Sequence, residues 1–132
     1  VAAPAYLADH GTPRTPADLA KHNMLGFCFS KQMDGWPFRD SSGGIVSVPP
    51  VGTALVSDGE AMQRLTVAGA GLSRLARFHV DADIKAGRLV PVLEDFNPGD
   101  LEPIHAVFVG HGGQLPARVR AFLDYLVEHV KL

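Results

Sequence analysis

A His-Gly-Gly triplet at residues 111–113 has the composition of an oxyanion hole. Some esterases use such an HGG element, whose backbone N–H groups stabilise the negative charge that develops on a tetrahedral intermediate. That chemistry needs a serine nucleophile in a GxSxG turn, and the sequence contains no such turn. Catalysis is therefore not expected at this triplet.

The other side chains that could act as nucleophiles or metal ligands are dispersed along the chain. Cys28 lies in an apolar segment and is predicted to be a small buried hydrophobe rather than a nucleophile. It is the only cysteine, so an internal disulfide is excluded, which fits a reducing cytoplasm. No HxxxH or HExxH spacing places two ligands on one helix face among the histidines considered, namely His10, His22, His79, His105 and His129. No metal or cofactor is expected.

Four carboxylates were candidates for acid or base catalysis. None has a plausible nucleophile or base partner in the sequence, so each is expected on a solvated helix face or in a loop: Asp81, Asp83, Glu94 and Asp95. The chain is therefore not expected to be an enzyme.

The run 57–93 carries start and stop signals for two helices and two strands. Ser57 and Glu60 are predicted to form a capping box that starts a helix at about Asp58. Gly69 and Gly71 end this helix, because glycine adopts the left-handed conformation without a Cβ penalty. A strand at 72–75, a helix at 77–86 stopped by Gly87, and a strand at 89–93 follow. The run is typical of an α/β unit whose helix N-termini face a cleft.

The residues before this run predict short elements. They are a helix from Pro4 to His10 ended by Gly11, a short helix capped by Thr15, a buried strand at 24–29, a hairpin of Trp36–Arg39 with Ile45–Val48, and an extended segment at 51–56.

A break follows near residues 97–103, where proline, glycine and acidic residues interrupt the pattern. A strand is predicted at 104–109, and Pro116 opens a long amphipathic helix. Its apolar stripe consists of Val119, Phe122, Leu123, Leu126, Val127 and Val130. Such a stripe needs a sheet or another helix to pack against.

Composition limits the class of protein. The 132 residues are 46% hydrophobic and 20% charged, which is typical of one globular domain. The net charge is −2 and the twelve basic residues are scattered, so this chain alone is not expected to bind DNA. No apolar run approaches the roughly 20 residues that span a bilayer, so no membrane contact is expected.

Several segments occur in a specific order along the chain. They are VAAPAYLADHGTPRTPADLAKHNMLGF, the Trp36 hairpin, SDGEAMQRLTVAGAGLSRLARF, AGRLVPVL, IHAVF and LPARVRAFLDYLVE. In this order they resemble the effector-binding domain of LysR-type transcriptional regulators over essentially the whole chain. The resemblance implies an α/β fold of the type 2 periplasmic-binding-protein class, with a mixed sheet flanked by helices, followed by a return strand and a C-terminal helix.

The resemblance also implies a domain plan. Residues 1–103 would form the second subdomain, and residues 104–132 the return crossover strand and closing helix of the first. The rest of the first subdomain and the DNA-binding winged helix-turn-helix would belong to a longer protein, of which this chain, opening on Val1, would be a fragment. Homo-oligomers would form through the effector domains, and DNA would be bound only through the N-terminal domain.

By the same resemblance, a small effector, expected to be an organic anion, would lie between the subdomains. Helix N-termini favour an anion because they offer unpaired N–H groups and a positive dipole end. The contacts from this subdomain would be Phe29, Ser30, Ser57, Asp58, Gly71, Leu72 and Ser73. Each also has a purely structural interpretation: Ser57 and Asp58 as caps, Gly71 as a helix stop, and the aromatic residue as core.

Two other classes remain open from the sequence. A solute-binding domain of a transport system would share the fold. A small α/β hydrolase is the weaker alternative, because the nucleophile and the triad are missing and the chain is short.

Overall fold

The computed structural model describes residues 1–28, 35–101, 105–107 and 115–130. Its helices are α1 (Pro4–His10), α2 (Gly59–Val67), α3 (Arg77–Lys85) and α4 (Ala117–His129), with 3₁₀ turns at Pro16–Lys21 and Glu94–Phe96. Its strands are β1 (Gly26–Phe27), β2 (Trp36–Arg39), β3 (Ile45–Val48) and β4 (Leu55–Val56). The mixture of short strands and flanking helices confirms the predicted α/β class.

Backbone hydrogen bonds connect five extended segments side by side. β1 pairs with β4 in parallel, and Met24, just before β1, forms a parallel bridge with Leu72. Ser73 exchanges two hydrogen bonds with Val1, of 2.9 and 3.0 Å, and Ala2 bridges Val90 in antiparallel fashion. Reciprocal bonding between one pair of residues is the antiparallel pattern. The N-terminal segment therefore runs against its neighbours in a mixed sheet.

An apolar cluster joins this sheet to the hairpin of β2 and β3. Its buried members are Ala2, Ala3, Tyr6, Leu19, Met24, Trp36, Phe38 and Leu72. Trp36 and Phe38 alternate with less buried residues along β2, as expected for a strand with one covered face. The hairpin register, Trp36 opposite Val48 and Arg39 opposite Ile45, confirms the predicted hairpin residue for residue.

Helices α2 and α3 contact each other in the same unit, and both contribute buried residues. Met62 of α2 and Val80 of α3 are at most 3% exposed. Gly87 follows α3 with φ of 71° and Gly69 follows α2 with φ of 80°, so both predicted glycine stops take the left-handed conformation. Helix α1 matches its prediction, and α3 ends one residue earlier than expected.

The predicted strands are shorter than expected. In the described part of 24–29, which is 24–28, Gly26 and Phe27 form a strand and Met24 a bridge. At 72–75 the bridge lies at Leu72, and at 89–93 it lies at Val90. Leu93 adopts a left-handed φ of 60° before the 3₁₀ turn that begins at Glu94, which ends the last of these segments. Half of the strand predicted at 104–109 falls outside the described residues, and the described residues 105–107 carry no strand.

The predicted Ser57–Glu60 capping box is wrong. Asp58 is the N-cap: its Oδ1 accepts a 2.8 Å hydrogen bond from the Ala61 backbone, and α2 begins at Gly59. Glu60 instead pairs with Arg64 one turn along the helix. Aspartate caps as well as serine does, and its charge favours the positive helix end. With two adjacent capping residues in the sequence, the pattern misplaced the cap by one position.

The chain divides into two compact units, Val1–Asp100 and Leu101–Leu132. In the second unit α4 begins at Ala117, directly after Pro116, as the sequence predicts. No residue of α4 is buried, and Phe122, Tyr125, Val127 and Val130 are all at least half exposed. Its apolar stripe therefore has no covering partner among the described residues of the second unit.

Candidate ligand-binding site

The carboxyl ends of the parallel segments define one edge of the sheet, here named the carboxyl edge. Ligands of open α/β sheets bind outside this edge, where strands give way to helices. At this edge β1 is followed by Cys28, β4 by Ser57, and the segment at Leu72 and Ser73 by Arg74. Helices α2 and α3 both start from the same edge. The predicted contacts Ser57, Asp58 and Ser73 lie at this edge.

Ser57 and Asp58 lie together at the carboxyl edge, and both are exposed. The Asp58 carboxylate already accepts a hydrogen bond from the Ala61 N–H, so one donor in the first turn of α2 is satisfied. A carboxylate at this position neutralises the positive end of the helix dipole. The start of α2 is therefore a weaker anion site than the sequence alone indicates.

Gly71, Leu72 and Ser73 are all buried. A Cβ on Gly71 would lie 2.4 Å from the Asn23 carbonyl oxygen, so glycine is required there by close chain packing, on the amino side of the sheet segment. Leu72 belongs to the apolar cluster. The Ser73 hydroxyl, in a residue 1% exposed, lies 2.8 Å from the Thr66 hydroxyl. Close packing therefore accounts for the residue type at all three positions.

Cys28 is exposed, which corrects the prediction that it is buried. Its backbone N–H donates to the Val56 carbonyl at 2.9 Å, so it is a paired residue at the carboxyl end of the β1 segment. The side chain is exposed because it lies at the edge of the sheet rather than within it. The predicted contacts Phe29 and Ser30 come directly after it and lie outside the described residues.

Two arginines follow the Ser73 segment and were not singled out from the sequence. The Arg74 guanidinium pairs with Asp100 at 2.5 Å, and both side chains are less than half exposed. Arg77, at the start of α3, pairs with Asp81 at 3.0 Å and is 79% exposed. The predicted strand at 72–75 included Arg74, so its position at the end of the extended segment could be read only from the structure. Both place positive charge beside the carboxyl edge.

Comparison with known proteins identifies this architecture. A family model described as LysR substrate binding domain matches residues 1–131. The chain belongs to this family. The relationship confirms the resemblance seen in the sequence and places the chain among regulatory domains rather than enzymes.

Curated relatives and solved structures agree with the family match. The transcriptional regulator CrgA of Neisseria meningitidis serogroup C is 37% identical over 130 residues, covering 98% of the chain and 42% of that protein. The regulator PtxR of Pseudomonas aeruginosa is 33% identical over 132 residues, covering 98% of the chain and 41% of that protein. The chain thus spans about two fifths of the length of these relatives.

The structure of the CrgA regulatory domain from Neisseria meningitidis superposes with a TM-score of 0.81 at 37% identity, covering 98% of the chain and 63% of that chain. The regulatory domain of AphB in Vibrio vulnificus, at 21% identity, has a TM-score of 0.71 over 98% of the chain and 61% of that chain, and shows the shared fold.

The opposite, amino edge of this LysR domain is held together by Asn23. Its side-chain amide donates to the Ala70 carbonyl at 2.6 Å and to the Thr53 hydroxyl at 3.0 Å, and its oxygen accepts from the Thr53 N–H at 2.8 Å. These bonds join the amino ends of three neighbouring extended segments. Asn23 was not predicted from the sequence, because its partners Thr53 and Ala70 lie 30 and 47 residues away. Gly52 and Gly71 pack closely around it in the structure.

Asp83 of the LysR domain is 2% exposed, not solvated as predicted from the sequence. It accepts hydrogen bonds from Gln63 of α2 and from Arg88. These two bonds, the Gln63 bond first, lower the pKa of Asp83 below its usual range. Asp83 therefore fixes α3 against α2 and is not a candidate acid or base.

In the described part of the chain, no three His, Cys, Asp or Glu residues are grouped as a metal site would require. Across the same residues, no helix has the length and apolar character needed to cross a membrane.

Proposed function

We propose that this LysR domain senses a small organic anion and thereby controls DNA binding and transcription by an intact regulator. The observation that carries the proposal is the carboxyl edge, where exposed Ser57 and Asp58 and the arginines Arg74 and Arg77 accompany two helix starts. The relatives CrgA and PtxR are named as transcriptional regulators, which favours a regulator over a solute-binding protein or a hydrolase.

In the proposed arrangement, residues 1–103 form one wall of an interdomain cleft, and residues 104–132 belong to the opposite subdomain. The effector contacts remain those predicted from the sequence: Phe29, Ser30, Ser57, Asp58, Gly71, Leu72 and Ser73. For Leu72 and Ser73 the contribution would come from backbone groups, because packing occupies their side-chain positions. Gly71 lies on the amino side of this segment and would contribute through the close chain packing that positions Leu72 and Ser73.

The proposed partners follow from the role. DNA would be bound through a separate domain, since this chain has a net charge of −2 and scattered basic residues. The intact regulator would act in the cytoplasm, where bacterial DNA is located, and as a homo-oligomer.

A thermal-shift screen of the intact regulator tests the proposal. A ligand that binds only the folded state raises the melting temperature in proportion to the logarithm of its concentration. We expect at least one acid among acetate, succinate, citrate and benzoate to raise it, while uncharged amides of the same acids do not. Stabilisation by the amides alone would contradict an anionic effector.

A further inference from the structure

The ion pair between Arg74 and Asp100 joins the carboxyl edge to the last residue of the first unit. Arg74 directly follows Ser73 at the end of its sheet segment, and Asp100 directly precedes the division of the chain at Leu101. A second arginine reaches the same segment, since Arg39 of β2 donates to the Pro98 carbonyl at 3.2 Å. The segment that leaves the first unit is thus held by two guanidinium groups.

Helix starts are poor anion sites in this unit. Asp58 places its own carboxylate on the first turn of α2. The first turn of α3 begins with Arg77, whose guanidinium forms an ion pair with Asp81 of the same helix and is largely exposed to solvent. A charge in solvent is strongly screened. Arg74, with its side chain 38% exposed, is the better placed of the two arginines for a strong charge-assisted contact.

We propose that Arg74 is the residue of this subdomain that binds the effector carboxylate, and that Asp100 is an internal carboxylate occupying Arg74 until the effector replaces it. This inference rests on the proposed function. The ion pair with Asp100 shows that the Arg74 guanidinium can bind a carboxylate in this position. An ion pair of such exposure contributes little to stability, so exchanging one carboxylate for another costs little.

The exchange has a structural consequence. When an effector carboxylate binds Arg74, Asp100 loses its ion-pair partner. Of the two arginine contacts described, the 97–100 segment then keeps the one from Arg39. Effector binding at the carboxyl edge would therefore loosen the chain at the point where it leaves the first unit.

The test compares variants of the intact regulator by calorimetric titration with whichever of acetate, succinate, citrate and benzoate shifts the wild-type melting temperature most. We expect Arg74→Gln to weaken binding by about tenfold or more, the usual loss for a hydrogen bond to a charged group. Asp100→Asn removes the internal competitor, so its affinity should rise severalfold. Arg64→Gln, which removes an exposed arginine of α2 that pairs with Glu60, is the matched control and should bind as the wild type does.

Each outcome decides a different point. If Arg74→Gln is folded by circular dichroism and binds as the wild type does, this inference is wrong while the proposed function stands. Weaker binding by Asp100→Asn would also overturn it, because a merely structural ion pair predicts a loss in both variants. If Arg74→Gln does not fold, the sign of the change in Asp100→Asn decides alone. If none of the four acids shifts the wild type, the anionic effector and this inference both fail.

Discussion

At the scale of single residues, several polar side chains of the first unit form hydrogen bonds within that unit. Asn23 ties the amino edge, Asp83 is held by Gln63 and Arg88, and Tyr6 connects α1 to the residues before β1. The sequence could not predict the contacts of Tyr6 and Asn23 or the Gln63–Asp83 bond, because they join residues 17 to 47 positions apart. It could predict the glycine stops, because their requirement for a positive φ is local.

His22 should make stability depend on pH. The Tyr6 hydroxyl accepts a 2.9 Å hydrogen bond from the Asn23 N–H and lies 3.3 Å from His22 Nδ1, which suits a neutral ring that accepts the hydroxyl proton. Burial, and then repulsion from His10, lower the pKa of His22 below its usual 6.5, with Asp18 opposing and Lys21 adding to the shift. The unfolded chain then binds more protons there, so stability is lost as pH falls through 6.5.

The measurement is the melting temperature from about pH 7.5 to about pH 5.5, across the histidine range. We expect the decrease to be smaller in His22→Gln than in the wild type. His129→Gln, which changes a histidine on α4, should leave the decrease unchanged. Equal slopes for the wild type and His22→Gln would show that the ring is not held neutral.

At the scale of elements, those set by local sequence signals were predicted more accurately than those set by long-range strand pairing. The hairpin was predicted residue for residue because its alternation and its turn are close in sequence, and Asp40 accepts from the Ser42 and Gly44 backbones to fix that turn. The strands at 24–29, 72–75 and 89–93 were overpredicted because their ends depend on distant neighbours. Of the predicted contacts, Ser57, Asp58 and Ser73 lie at the carboxyl edge, whereas the burial of Ser73 and the exposure of Cys28 could be read only from the fold.

Substitutions at Ser57 and Asp58 test which of these two residues caps α2. Asp58→Ala should lower the free energy of unfolding by about 1 kcal/mol, the usual cost of losing an N-cap. Ser57→Ala is the matched control and should change it by less than about 0.5 kcal/mol, as exposed substitutions do. Urea unfolding measures both. A larger loss for Ser57→Ala would restore the capping box predicted from the sequence.

At the scale of the whole molecule, α4 is the element with unmet packing. Phe122 is 60% exposed and Val127 is 86% exposed, although the helix pattern is that of a buried face. Apolar burial contributes about 25 cal/mol per Å², so covering such a stripe is worth several kcal/mol. The 132-residue chain by itself should therefore self-associate or fold the helix back.

Sedimentation of this chain should show species heavier than the 14.1 kDa monomer, or a monomer with α4 protected from proteolysis. Phe122→Glu should increase the monomer fraction, while Arg118→Glu, off the stripe, should not. A strict monomer whose C-terminus is disordered would contradict the prediction.

The proposed function requires the effector to bind at the carboxyl edge of this subdomain. Hydrogen exchange of the intact regulator, with and without the acid that stabilises it most, tests this claim directly. We predict slower exchange of the backbone amides at the start of α2 and around Arg74 when the acid is bound. The amides around Asn23 and Gly52 at the amino edge should not change. Protection confined to the amino edge, with the carboxyl edge unaffected, would contradict the claim.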